Sequence, residues 1–143
     1  MSTKKTDKLF NTYISEVDEK HKDTLIYLDS LLTSKFGGDN RYIWEGPFWG
    51  GSDQQIVGYG EIPIKGNTEE TWFMIGLARQ KNYYSLYINA TEDNTYLAKK
   101  YGDSLGKVKV GSSSIGFKHL DDINLSTLEK LINIAFEQWL EIN

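Results

Sequence analysis

The stretch Thr71-Trp72-Phe73-Met74-Ile75-Gly76-Leu77-Ala78-Arg79, followed by Gln80-Lys81-Asn82 and then Tyr83-Tyr84-Ser85-Leu86-Tyr87-Ile88-Asn89-Ala90, decides the fold class. Both flanks are rich in aromatic and β-branched residues, as a pleated and half-buried surface requires. The three residues between them are polar and short enough only for a hairpin, so the two flanks read as antiparallel strands, Thr71–Arg79 and Tyr83–Ala90.

Working outward, the same period-two pattern marks strands near Arg41–Trp44, Gln54–Ile64 and Ser113–Lys118, divided by Gly, Pro, Asn and Asp. Pro63 has no N–H for a ladder, so its strand ends there or lies at an edge. Gly58-Tyr59-Gly60 inside a strand marks a bend or a close backbone approach.

Helical spacing flanks this β-rich centre. Leu9, Phe10, Tyr13, Ile14 and Val17 form one run, with Thr6 or Asp7 as its N-cap. Leu25, Leu28, Leu31, Leu32 and Phe36 form a second, stopped by Gly37-Gly38. A short helix is expected over Asp93–Tyr101, closed by Gly102. The last helix is the clearest: Leu128, Leu131, Ile132, Ala135, Phe136, Trp139 and Leu140 make a continuous apolar stripe. Asn124 caps it, or Ser126 and Glu129 form a capping box. The expected architecture is α+β, an antiparallel sheet of about five strands with the N-terminal helices and the C-terminal helix packed on one face.

At 143 residues, with 39% hydrophobic and 25% charged residues, the chain fits one domain spanning residues 1–143, residues 1–6 being its loosest part. No apolar segment follows the first lysines, and Trp72–Ala78 is too short to cross a bilayer, so the expected address is cytoplasmic, with no membrane partner. The absence of cysteine excludes disulfides, thiolate metal sites and a cysteine nucleophile.

Net charge is −4, which argues against nucleic acid as a partner. Its distribution says more. Residues 1–75 carry 8 Lys/Arg and 12 Asp/Glu, residues 76–118 carry 7 and 3, and residues 119–143 carry 1 and 5. The positive excess is confined to the middle of the chain.

Catalytic constellations are thin. His21 and His119 have no neighbour at a spacing that builds a metal site or triad, and both read as solvated or locally hydrogen-bonded. The glycines of Gly46–Gly51 and Gly106–Gly116 lack the strand-to-helix setting of a phosphate loop and read as turns. No oriented nucleophile and base pair can be named, and no catalytic residue, metal ligand or cofactor is assigned.

Alternation is more informative. It places Tyr84, Leu86 and Ile88 on one face and Tyr83, Ser85, Tyr87 and Asn89 on the other. It likewise opposes Ile115 and Phe117 to Ser114, Gly116 and Lys118. One face suits the core. The other presents tyrosines, small residues and lysine, and Trp44, Tyr59, Arg79, Lys81, Tyr87, Lys107 and Lys118 are the candidate ligand-binding residues on it. Cations beside hydroxyls suit a small anionic ligand or an acidic partner surface. The same pattern also describes cross-strand packing with solubilising edge lysines, and an exposed aromatic face would equally serve a homodimer.

Several stretches resemble the YdhG-like family of domains of unknown function. They are Tyr42-Ile43-Trp44-Glu45-Gly46-Pro47, Ile56-Val57-Gly58-Tyr59-Gly60, Trp72–Asn82 with Leu86-Tyr87-Ile88, Leu105–Ser114 and Phe117–Asp122. The resemblance runs from about Asp23 to Phe136. It implies an α+β fold and, through longer relatives described as intracellular iron chaperones with a frataxin-like layout, an alternative role in iron binding. That role would fall to acidic groups of the first helices, such as Glu16, Asp18, Glu19 and Asp23, which also read simply as a solvated helical face. The chain is similar to a shorter subgroup with no assigned reaction. It has Ala78 where Pro is expected and Ser114 where Cys is usual, and its glycine-rich Phe48–Asp53 reads as a longer loop.

Overall fold

In the computed structural model, which describes residues 4–47, 53–64 and 67–142, the hairpin at Gln80–Asn82 is the centre of a seven-stranded antiparallel sheet. Its strands are β1 (Lys4–Thr6), β2 (Arg41–Gly46), β3 (Gln54–Ile64), β4 (Asn67–Arg79), β5 (Tyr84–Ile88), β8 (Lys109–Val110) and β9 (Ser114–Phe117). They run in the order β1-β2-β3-β4-β5-β9-β8. The turn closes as the Gln80 N–H donates to the Tyr83 carbonyl at 2.8 Å. Pro63 lies past the end of β2, where β3 pairs only with β4, and the register shifts between Pro63 and Ile64. Pro63 thus stands near the end of its strand, where a missing N–H is tolerated.

Helices α1 (Phe10–Ser15), α2 (Glu19–Phe36) and α4 (Leu125–Ile142) supply the second layer. α2 buries Leu25, Leu28, Leu32 and Phe36, and α4 buries Leu128, Leu131, Ile132 and Ala135. Both stripes meet Ile43, Val57, Ile75, Leu77, Leu86 and Ile88 from the facing sheet in one core. α2 stops at Gly37, whose φ of +79° only glycine adopts readily. Asn124 caps α4 by accepting from the Thr127 N–H at 3.0 Å.

Four expectations need correction. Lys4–Thr6, expected as a loose tail, pairs with β2, and Lys5 ion-pairs with Glu61 at 2.9 Å. α1 has no side-chain cap, because Thr6 Oγ1 instead donates to the Ile43 carbonyl and accepts from the Lys8 N–H. Asp93–Tyr101 is not one helix. Asp93 and Asn94 both take positive φ, 53° and 61°, and turn a small hairpin of β6 (Thr91–Glu92) and β7 (Thr95–Tyr96) before the short α3 (Leu97–Lys100). Paired left-handed residues make the tight turn that matches strand twist, a role Asp and Asn fill with little strain. The sheet also has seven strands rather than five, the additions being the short edge strands β1 and β8. Of Phe48–Asp53, residues 48–52 lie outside the described residues.

The outer face of the sheet has two regions. Over β2, β3 and β4 it is sealed by a second apolar cluster of Trp44, Ile56, Phe73 and Ala78. Glycine makes this possible: a Cβ on Gly58 would stand 2.4 Å from the Trp44 ring, and one on Gly76 would stand 2.4 Å from the Phe73 ring. Each aromatic ring occupies the space that a Cβ on the glycine would need. Over β5, β9 and β8 the outer face is open.

Candidate functional site

The open region is a cleft of about 500 Å³ with a mostly apolar lining. Its floor follows from register. Ser85 of β5 stands opposite Gly116 of β9, Gly116 stands opposite Lys109 of β8, and Tyr87 stands opposite Ser114. Directly paired residues share a face, so Ser85, Gly116 and Ser114 form a shallow floor of small side chains. Tyr87 rises from β5 at one end of that floor, and Tyr83, in the turn just before β5, stands at the other. The Tyr83 ring leans over Gly116, 3.3 Å from where a Cβ would be.

Lys107, Lys109 and Lys118 border this floor. Among the described residues none of the three makes an ion pair. Lys107 is held in place by its backbone. Its N–H donates to the Asp122 carbonyl at 2.7 Å, and Gly106 before it takes φ +99° with no room for a Cβ, which would meet that carbonyl at 2.4 Å. Asp122, the acidic group at the cleft, accepts from the His119 N–H at 3.2 Å. The Tyr87 hydroxyl accepts from Gln80 Nε2 at 3.0 Å, and burial raises its pKa, so it stays protonated and able to donate.

The seven candidate residues separate on this geometry. Tyr87, Lys107 and Lys118 come together in the cleft. Trp44 lies on the outer face but is fully buried, its Nε1 donating to the Thr71 carbonyl at 2.9 Å. Tyr59 is on the core side, fully buried, with its hydroxyl donating to Asp29 Oδ1 at 2.6 Å. Arg79 is also on the core side. It pairs with Tyr84, shares that residue's face, and holds its guanidinium 4.7 Å from the Tyr84 ring centre. Lys81 is an exposed turn residue whose carbonyl accepts from Arg79. Lys109 was not among the candidates, although the alternation Lys107-Val108-Lys109-Val110 carries the signal, because both lysines have one parity.

Other chemistry-bearing groups are engaged locally. His21 Nδ1 lies 2.9 Å from the Tyr84 hydroxyl, and His119 caps the 3₁₀ turn Leu120–Asp122. On the first helices Glu16 bonds Lys8, Glu19 pairs with Lys22 at 3.0 Å, and Asp18 caps α2. Among the described residues no group of three or more His, Asp or Glu side chains is placed to hold a metal ion, and no helix is long and apolar enough to cross a membrane.

Comparison of the chain with protein-family models, with curated proteins and with solved structures finds no match.

Proposed function

We propose that this chain is a cytoplasmic binding domain that takes a small anionic ligand in the cleft over β5, β9 and β8. The observation that carries the proposal is the convergence of Lys107, Lys109 and Lys118, without ion-pair partners among the described residues, on one concave surface. Three ammonium groups against one carboxylate, Asp122, leave a positive excess beside a largely apolar wall, and each ammonium can give a charge-assisted hydrogen bond. The volume falls in the range of small-molecule sites, roughly 300–1,000 Å³. A concave site of that size suits a small molecule better than a flat acidic protein surface.

The iron-binding alternative belongs to the YdhG-like resemblance, which rests on the sequence stretches quoted above. No observation on the first helices favours it: Glu16 and Glu19 are paired with lysines, Asp18 caps α2, and among the described residues no three His, Asp or Glu side chains are grouped to hold a metal ion.

The test is calorimetric titration of the full chain with inorganic phosphate and with succinate at low salt. The variant replacing Lys107, Lys109 and Lys118 with Gln should lose roughly tenfold or more in affinity, taking about 0.5–1 kcal/mol for each partly exposed charge. Equal affinity in the variant removes the proposal.

A further inference from the structure

The anion-binding reading leaves most of the cleft unexplained. A ligand that was all charge would use the lysine rim alone, yet the lining is mostly apolar, and Tyr83 keeps 43% of its surface exposed there. From this we infer that the ligand is an aryl anion, a planar aromatic or heteroaromatic ring bearing a phosphate or carboxylate, an inference that rests on the anion-binding reading.

Three features carry it. The floor of Ser85, Gly116 and Ser114 lacks any large side chain, so a flat body can approach the sheet closely. Tyr83 leans over that floor at one end and Tyr87 stands at the other, which sets aromatic surface beside any ring lying on it. Aromatic pairs take offset or edge-to-face arrangements and gain free energy beyond their area burial. Finally, Lys109 stands directly across the ladder from Gly116, which the Tyr83 ring covers, so a charge borne by the edge of a ring stacked beside Tyr83 meets an ammonium group.

The inference is tested with the full chain and three probes, phenyl phosphate, inorganic phosphate and phenol, titrated by calorimetry. Phenyl phosphate should bind about tenfold tighter than inorganic phosphate, the ring contributing on the scale of an aromatic pair. Tyr83→Ala should erase that advantage and leave the affinity for inorganic phosphate in place, while Tyr83→Phe keeps it. Circular dichroism of both variants confirms folding. If phenyl phosphate and inorganic phosphate bind equally and both depend on the lysines, the aryl inference is overturned and anion binding stands. If phenol binds as tightly as phenyl phosphate, the charge has no part and the inference is overturned. If none of the probes binds, both fall.

Discussion

Lys109 and Gly116 face each other across the β8–β9 ladder, so the one lysine of the edge strand lies beside the barest point of the cleft floor. Filling that point should block the cleft without disturbing the core beneath the sheet. A Cβ at Gly116 would meet the Tyr83 ring at 3.3 Å, which the partly exposed ring can yield by a small tilt. Gly116→Ala should therefore weaken phosphate binding several-fold through lost access while shifting stability by no more than about 0.5 kcal/mol, the usual range for surface substitutions. Parallel calorimetry and urea unfolding check both halves.

The buried ion pair on the other face behaves differently. Asp29, only 7% exposed, accepts from Tyr59 at 2.6 Å and from Arg41 Nη1 at 2.7 Å. Asp29→Ala leaves a buried hydroxyl and a half-buried guanidinium without their acceptor, and should cost about 3 kcal/mol. Tyr59→Phe removes one bond and should cost about 1–2 kcal/mol. Neither should change anion affinity. Denaturant midpoints rank the two variants.

Gly58→Ala tests the sealed half of the outer face. The added methyl would stand 2.4 Å and 2.6 Å from carbons of the fully buried Trp44 ring and 2.8 Å from Phe73 Cβ, with no flexible chain end to move. Overpacking of this kind costs about 1–3 kcal/mol. Tryptophan fluorescence during urea unfolding should report both the lower midpoint and a changed native spectrum.

His21 gives the fold a pH dependence of known sign. Its pKa is lowered from 6.5, first by partial burial and then by Arg79 and Lys20. The unfolded chain therefore binds the proton more readily than the native one. The stabilising contribution is complete above pH 6.5 and is lost as pH falls through the window below it. His21→Gln should flatten the stability slope below pH 6.5. Proton NMR of His21 checks the direction of the shift.

Much of this was legible in the sequence because strands and helices repeat with different periods. Alternation assigned Tyr83, Ser85 and Tyr87 to one face and the helical stripes to α2 and α4. It could not say whether a face is covered. Trp44 sits on the outer face yet is sealed, because Gly58 lets its ring lie down, and that depends on a partner strand 14 residues away. Arg79 shares parity with Ile75 and Leu77, so its core-side position was readable; its charge suggested otherwise. Phe73 and Ile75 share parity but occupy different clusters, since Gly60 opposite Met74 takes φ +76° and the alternation breaks there. Tyr59 shares parity with the core-facing Val57, and its hydroxyl can be buried there because Asp29, far off in sequence, accepts its hydrogen bond.

The most direct test is a titration of ¹⁵N-labelled full chain with inorganic phosphate at low ionic strength, followed by amide shifts. The cleft should respond alone, with saturable shifts at Ser85, Tyr87, residues 107–111 and residues 114–118, reversed by added salt. Shifts centred on α1 and α2, or none that saturate, would contradict an anion site over β5, β9 and β8.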